Sequence, residues 1–180
     1  MNKKIFLFLQ GIFILLVGFL LILMPNESFL NISYILIGCL VPGLILGMIT
    51  ALKRINKHIQ FTYQVIHAFA IFFYLISLIF FCSNFEDLNN YTGFYFIFYA
   101  FSEIIFCNFL FNSSETIKSS TLIVRIATGL ACGVGTVVIF SFSDGNQAFK
   151  LIGDGIIFSI IGFSIIIFRP VIKNEKLAIH

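Results

Sequence analysis

The chain has 180 residues, of which 59% are hydrophobic and only 11% are charged, and its mean hydropathy is +1.05. Eight acidic and eleven basic residues could not cover the surface of a water-soluble domain of this length, so a soluble globular protein is excluded. The net charge of +3 does not indicate nucleic-acid binding, because the basic residues lie almost entirely in the connections between apolar runs. The composition predicts an integral membrane protein that is surrounded by the lipid bilayer.

Six apolar runs are long enough to cross a bilayer as helices, which takes about 20 residues each. In chain order they are Ile5 to Met24, Tyr34 to Leu52, Val65 to Cys82, Tyr91 to Phe111, Leu122 to Phe142, and Phe149 to Phe168. The first run follows two lysines, as a signal peptide does, but it lacks a small-x-small cleavage site before Pro25. We expect this run to be retained, which gives an all-α polytopic membrane protein with six transmembrane helices.

The basic residues in the connections predict the orientation of the chain. Ten of the eleven lie on the side of the amino terminus, and only Lys150 lies on the other side. The ten are Lys3, Lys4, Lys53, Arg54, Lys57, Lys118, Arg125, Arg169, Lys173 and Lys176. Because positive residues concentrate on the cytoplasmic side, both termini are predicted to be cytoplasmic. Frequent Ile, Phe, Asn and Lys without any Trp are typical of an AT-rich bacterial genome, so the predicted location is a bacterial inner membrane.

A pattern of small residues repeats when the chain is offset by 59 residues. Small residues seven positions apart recur in the first, third and fifth runs, as Gly11 with Gly18, Ala70 with Ser77, and Gly129 with Thr136. Each copy contains two spans and returns to the same side, which predicts three parallel αα-hairpins around a pseudo-threefold axis along the membrane normal. The predicted hairpins cover 5–58, 59–117 and 118–172 of a single transmembrane domain, 1–180.

Glycines inside the runs are predicted to let neighbouring helices approach closely, because lipid gives no hydrophobic drive for helix association. The segments GLILG and GLACG both place glycines four residues apart, on one helix face. We assign a packing role, in preference to a pore-lining role, to Gly11, Gly18, Gly43, Gly47, Gly129, Gly133 and Gly162.

The first hairpin reads GIFILLVGFLLILMPNES and then ILIGCLVPGLILGMI, and weaker copies follow downstream. With its three copies, this pattern resembles the HdeD-like acid-resistance membrane proteins, whose short repeat occurs as three two-helix units in chains of about this size. The resemblance covers nearly the whole chain. It implies a role in acid or envelope stress resistance, and it implies no catalytic residues.

Ionisable residues inside spans are costly, at about 2.5 to 3.5 kcal/mol each near a helix centre, and therefore indicate function by default. Glu103 lies deep in the fourth run, while Arg125 and His67 lie nearer the cytoplasmic ends of the fifth and third. The axial offset between Glu103 and Arg125 is about 6 to 8 Å at helical rise, which an arginine side chain can bridge. Asp154 either opens a path from the outside or, as is favoured, lies near the outer interface within reach of water or of Lys150. Tyr63 is expected in an interfacial aromatic belt.

Two interpretations of Glu103 follow. It is either a proton-accepting or cation-binding site tuned by Arg125 or His67, or a packing residue paired with Arg125. The packing interpretation is favoured, because no second carboxylate accompanies Glu103 and no polar relay across the outer half is evident in the sequence.

The sequence contains no enzyme motif such as HExxH, GxSxG or a Walker A loop, and its four cysteines lack zinc-ligand spacing. We therefore predict a non-enzymatic protein without cofactor or metal. The first hypothesis is a structural component of the bacterial envelope that acts by association, as a homo-oligomer or within a larger membrane complex. The second is a small proton-linked channel or transporter centred on Glu103. The third is an immunity or partner subunit of a larger membrane complex.

Overall fold

The computed structural model of the protein describes residues 3–52, 58–112, 119–141 and 146–167. These residues form six α-helices joined by short turns: α1 Lys3–Leu23, α2 Phe29–Leu52, α3 His58–Phe80, α4 Phe85–Asn112, α5 Ser119–Ser141 and α6 Gln147–Ile167. Each predicted apolar run corresponds to one helix, so the predicted all-α architecture is confirmed for the described residues. Seven of the residues that predict the orientation lie outside the described residues, namely Lys53, Arg54, Lys57, Lys118, Arg169, Lys173 and Lys176.

Helices α2 and α4 begin earlier than the apolar runs because polar side chains in the α1–α2 and α3–α4 turns cap them. Asn84 Oδ1 accepts a hydrogen bond from the Asp87 backbone N–H (2.9 Å), and Asp87 Oδ2 accepts one from Ser83 N–H (2.9 Å). These reciprocal bonds satisfy amide groups that the first turn of a helix leaves without partners. Ser28 Oγ accepts a bond from Asn31 N–H (3.4 Å) in the corresponding place before α2. The helices therefore extend into segments that hydropathy alone assigns to turns.

The distribution of side chains is that of a protein dissolved in lipid. Five of the six helices, all except α4, are long and apolar enough to cross a membrane. Large apolar side chains point outward, and Leu23 and Phe80 are each 73% exposed. The most polar side chains point inward, and Glu103 and Arg125 are each 1% exposed. Since apolar groups outside and paired polar groups inside suit a hydrocarbon solvent, the chain is a multi-pass helical membrane protein.

The six helices form a closed ring in which each packs against its neighbours in the chain and α6 returns to α1. The contact between α1 and α6 is the most extensive of the bundle. The two helices run antiparallel, because Gly11 lies against Gly162 while Gly18 lies against Gly155. The ring places the amino-terminal and carboxy-terminal helices side by side, and it encloses a core of buried side chains from every helix.

Small residues bring the backbones of α1 and α6 together. A Cβ atom at Gly11 would lie 2.9 Å from the carbonyl oxygen of Gly162, and one at Gly18 would lie 2.5 Å from that of Gly155. Because these distances are shorter than ordinary Cβ contacts, only glycine fits at such positions without moving a helix. Gly155 belongs to this interface but was not among the predicted packing residues.

The contact between α4 and α5 has the same arrangement of small residues. A Cβ at Gly129 would lie 3.7 Å from the carbonyl oxygen of Ala100, and Thr136 Oγ1 donates a hydrogen bond to the carbonyl oxygen of Gly93 (3.4 Å). Both interfaces thus pair small residues seven positions apart on one helix with small residues seven positions apart on the next.

The three remaining predicted packing glycines, Gly43, Gly47 and Gly133, differ in how closely other residues approach them. Gly47 lies against the Gln10 side chain, whose Nε2 would be 2.8 Å from an added Cβ. Gly43 makes only ordinary contacts with α1, with Ile14 at 3.8 Å. Nothing lies within 4 Å of a Cβ added at Gly133, so the predicted close packing at Gly133 is wrong: the neighbouring helices do not approach the backbone there.

A buried ionic cluster as the candidate functional site

The structure brings together the three ionisable residues that the sequence singles out. Arg125 Nη1 lies 2.7 Å from Glu103 Oε1, and His67 Nε2 lies 3.7 Å from the same oxygen. The three side chains come from α5, α4 and α3, and none is more than 3% exposed. Antiparallel packing of α4 against both neighbours explains the meeting, since it places the carboxy-terminal half of α4 beside the amino-terminal halves of α3 and α5.

Tyr63 completes this cluster. Its hydroxyl donates a hydrogen bond to Glu103 Oε1 (2.9 Å) and accepts one from Arg125 Nη1. The side chain is 3% exposed, so the expected position of Tyr63 in an interfacial aromatic belt is wrong. Buried charged groups are costly unless their hydrogen bonds are satisfied. A buried tyrosine hydroxyl can donate to the Glu103 carboxylate and accept from the Arg125 guanidinium at the same time, which favours the burial of Tyr63. Tyr63 and His67 lie four residues apart on one face of α3, a spacing that could have indicated the pair.

Hydrogen bonds around Ser102 indicate where His67 carries its proton. The Ser102 hydroxyl donates its only hydrogen to the carbonyl oxygen of Tyr99 (2.7 Å), so Ser102 Oγ can only accept from His67 Nε2 (3.3 Å). Nε2 is therefore protonated and also faces the Glu103 carboxylate. Nδ1 is buried and finds no hydrogen-bond partner among the described residues. His67 is thus a neutral imidazole with its lone pair on Nδ1.

The hydrogen bonds of Glu103 are uneven. Oε1 accepts from both Arg125 and Tyr63, whereas Oε2 is buried and has no described residue in hydrogen-bond geometry, although the Tyr99 hydroxyl lies close to the Glu103 carboxylate. An unsatisfied buried oxygen of this kind costs about 1 to 3 kcal/mol, and more when the group is charged. Glu103 Oε2 can take up a proton without displacing the bonds at Oε1.

Aromatic rings surround the ion pair. The Tyr63 ring lies 4.1 Å from the His67 ring and 4.2 Å from the Phe106 ring between centroids, and the Arg125 guanidinium carbon lies 4.7 Å from the Tyr63 centroid. A guanidinium at this distance from an aromatic ring is attracted by the ring electrons. The rings exclude lipid from the charges, so the pair interacts in a medium of low dielectric constant.

A line of polar and aromatic groups, which the sequence does not predict, continues from the cluster towards the end of the bundle that holds the α3–α4 turn. The ring of His67 lies 4.3 Å from that of Tyr99, Tyr99 lies 6.2 Å from Tyr95, and Tyr95 lies 4.9 Å from Tyr74. The Tyr74 hydroxyl is 2.7 Å from Thr92 Oγ1. On α4 these residues are three or four positions apart, and we call Thr92, Tyr95, Tyr99 and Glu103 the polar face of α4.

Asp154 lies at the end of this line nearest the α3–α4 turn and is only 2% exposed, in contrast to the predicted interfacial position. It is on the same face of α6 as Phe158, whose ring lies 5.6 Å from Tyr95 and 6.4 Å from Tyr74. Asp154 Oδ1 is buried and has no hydrogen-bond partner within the described part of the chain. A second carboxyl group is therefore present in the bundle interior.

Metal binding has no candidate in the described ranges, where no three or more His, Cys, Asp and Glu side chains come together in a way that could hold an ion. The chemistry available to the cluster is proton exchange and charge pairing. Two carboxyl groups, an imidazole and several hydroxyl groups supply it.

Comparisons of the chain with protein-family models, with curated proteins and with solved structures find no match. The assignment of function therefore rests on the geometry of the cluster and of the polar face of α4.

Proposed function

We propose that the protein is a small proton-linked channel or transporter of the bacterial cytoplasmic membrane, with the Glu103 cluster as its inner proton-binding site. The observation that carries the proposal is a carboxylate held inside the bundle, with one oxygen paired to Arg125 and Tyr63 and with the Tyr99 hydroxyl close to the carboxylate. Ionisable residues buried in spans are expensive, and they commonly mark proton and ion pathways. A protein that needed only packing at this position could use an apolar residue at lower cost.

The polar face of α4 supports the same function. Tyrosine hydroxyl groups donate and accept hydrogen bonds, so a series of them can pass a proton between carboxyl groups. The steps between Tyr95, Tyr99 and Glu103 are four residues each, or about 6 Å of helix axis, which a hydroxyl and one water molecule can cover. In the sequence, no polar relay for protons is evident across the outer half of the spans. The tyrosine hydroxyl groups on the polar face of α4 supply such a relay.

A structural role in acid or envelope stress resistance is the second candidate. Its support is that Glu103 contacts residues from α3 and α5 and so holds three neighbouring helices together. In this case Glu103 would stay ionised and paired, and the protein would act by association with itself or with a larger membrane complex. The stress context comes from the resemblance to HdeD-like proteins.

For the topology, we propose six spans in three hairpin repeats around a pseudo-threefold axis, with both termini cytoplasmic. The matching glycine registers of the α1–α6 and α4–α5 interfaces support the repeat. Helix α4 completes the ring of packed helices and so is the sixth span, although it has a more polar sequence than the others.

Proton flux through reconstituted protein tests the function. We expect wild-type proteoliposomes to dissipate a pH gradient faster than empty vesicles, and Glu103→Gln to abolish the difference, because an amide cannot bind and release the proton. Glu86→Gln is the matched control, since Glu86 is an exposed acid on the same helix. Each variant is compared at equal incorporation and at a temperature at which circular dichroism shows it to be fully folded. A Glu103→Gln protein that conducts like the wild type would refute the proposal.

Cys82 tests the orientation. It lies in the turn between α3 and α4, where burial and the nearby Asp87 carboxylate raise the pKa of its thiol to about 11. We expect a membrane-impermeant maleimide to label Cys82 in intact spheroplasts. Because the thiolate fraction rises about tenfold per pH unit below the pKa, the labelling rate should be about 100-fold higher at pH 9 than at pH 7. Labelling that requires permeabilised cells would contradict the predicted orientation.

A further inference from the structure

Asp154 on α6 takes no part in the Glu103 cluster, yet it is a buried acid with an unpartnered oxygen. It lies seven residues from the start of α6, about 10 Å from the outer end of the helix. Thr92 is seven residues from the start of α4, and Tyr74 is six residues from the end of α3, so all three lie at the same depth. Glu103 is eleven residues further along α4 than Thr92, or about 16 Å deeper.

The hydroxyl groups beside Asp154 have defined directions. Thr92 Oγ1 donates its hydrogen to the carbonyl oxygen of Leu88 (2.7 Å), so Tyr74 must donate to Thr92 in the bond between them (2.7 Å). The Tyr95 hydroxyl is buried and has no hydrogen-bond partner among the residues described. Tyr74 lies close enough to Asp154 for the two side chains to interact electrostatically, and its ring stacks on that of Tyr95 at 4.9 Å. Tyr95 therefore lies between Tyr74, on the Asp154 side, and Tyr99, on the Glu103 side.

The charged and titratable groups around Asp154 are few. Lys150 lies one turn earlier on α6, Tyr74 faces this region from α3, and Tyr95 faces it from α4. Helices α1, α2 and α5 carry no acidic or basic residue at this depth within their described lengths. Lys150 is the one cation near Asp154 in the described structure, and it lies on the outer side of the carboxyl group, where a proton would enter.

An amide pair covers this region from the outside. Asn89 Nδ2 donates a hydrogen bond to Gln147 Oε1 (3.2 Å), and Gln147 Nε2 donates one to Asn89 Oδ1 (3.4 Å). The bonds connect α4 to α6 across the end of α5, and Asn89 is 6% exposed. The pair lies outward of Thr92 by one turn of α4 and outward of Asp154 by two turns of α6.

We infer that Asp154 is a second, outer proton-binding site, which exchanges protons with the outer solution past the Asn89–Gln147 amide pair and with Glu103 through Tyr95 and Tyr99. The inference rests on the proposed function, to which it adds the outer half of the path. It assigns the two acids to opposite sides of the membrane. Glu103 exchanges with the cytoplasmic side, and Asp154 exchanges with the outer side.

Carbodiimide labelling of the wild-type protein tests this assignment without using transport as the readout. Dicyclohexylcarbodiimide enters membranes and forms a stable adduct only with protonated carboxyl groups. Vesicles in which Cys82 lies on the outer surface are selected, so that all proteins have one orientation. They are strongly buffered to different pH values inside and outside, and mass spectrometry then measures the amount of adduct on Asp154 and on Glu103. We expect the Asp154 adduct to fall with rising outer pH, by about tenfold per pH unit once the carboxyl is mostly ionised, and not to respond to inner pH. The Asp154→Asn protein supplies the background for that peptide.

Several results decide the inference. An Asp154 adduct that follows the inner pH, or that responds to neither side, would overturn it. If the wild-type protein conducts no protons while Asp154 still follows the outer pH, the proposed function is wrong and the outer site stands. A second experiment tests whether the Asn89–Gln147 amide pair shields Asp154 from the outer solution. Asn89→Ala should raise the labelling of Asp154 by a water-soluble carbodiimide several-fold. The matched control is Asn90→Ala, an exposed neighbour, and equal labelling of the two variants would show that the amide pair covers nothing.

Discussion

Replacing Glu103 by leucine is expected to lower the free energy of unfolding by about 3 to 5 kcal/mol, because it leaves the buried Arg125 guanidinium without its counter-ion. Arg125→Leu should have a similar effect, since it leaves the carboxylate uncompensated. The double variant should lose much less than the sum of the two single losses, because it buries no unpaired charge. Denaturant titration of the protein in mixed micelles measures all three values.

The control for this cycle is Glu86→Leu, which removes an exposed acid from the first turn of α4. This variant loses the favourable interaction of the acid with the helix terminus. Apart from that loss, its free energy of unfolding should change by less than about 0.5 kcal/mol. Additive losses in the double variant would mean that Glu103 and Arg125 do not interact in the folded protein. The ion pair at 2.7 Å would then be absent in solution.

Replacing Gly162 by valine is expected to disrupt the contact between α1 and α6. A Cβ atom there would lie 2.6 Å from the backbone nitrogen of Leu15 and 2.8 Å from the carbonyl oxygen of Gly11. Because both neighbours are backbone atoms, no side-chain rotation can relieve the clash, and the helices must separate. Overpacking usually costs about 1 to 3 kcal/mol, and we expect a loss at or above the top of this range because the ring closes at this interface.

Gly153→Val is the matched control on the same helix. No atom lies within 4 Å of a Cβ at Gly153, so this variant has the same change in helix propensity without the clash. The difference between the two variants in free energy of unfolding isolates the cost of separating α1 from α6. Equal losses would show that the helices do not approach closely at Gly162.

The sequence predicts the helices and the members of the ionic cluster through simple physical rules. Apolar length predicts the helices, and the cost of burying charge singles out Glu103, Arg125 and His67. The helix starts are less predictable, because hydropathy does not register caps such as Asn84. These polar residues extend α4 beyond its apolar run.

The remaining features depend on which way each helix face turns, which hydropathy does not specify. Tyr63 has both apolar and polar character, so an interfacial and a buried position are equally compatible with its sequence context. The burial of Asp154 depends on the rotation of α6, which the glycine contacts with α1 determine. Gly133 fits the same small-residue pattern as Gly129, but no neighbouring atom lies within 4 Å of a Cβ added there.

Proton flux in proteoliposomes that hold a pH gradient is the most direct test of the central claim, which is that Glu103 binds and releases protons. We expect a flux in the wild-type protein that Glu103→Gln removes and Glu86→Gln retains, with all three proteins folded. Vesicles that stay as tight with the wild-type protein as without it would show that Glu103 does not carry protons. Glu103 would then be a permanently paired residue that holds α3, α4 and α5 together.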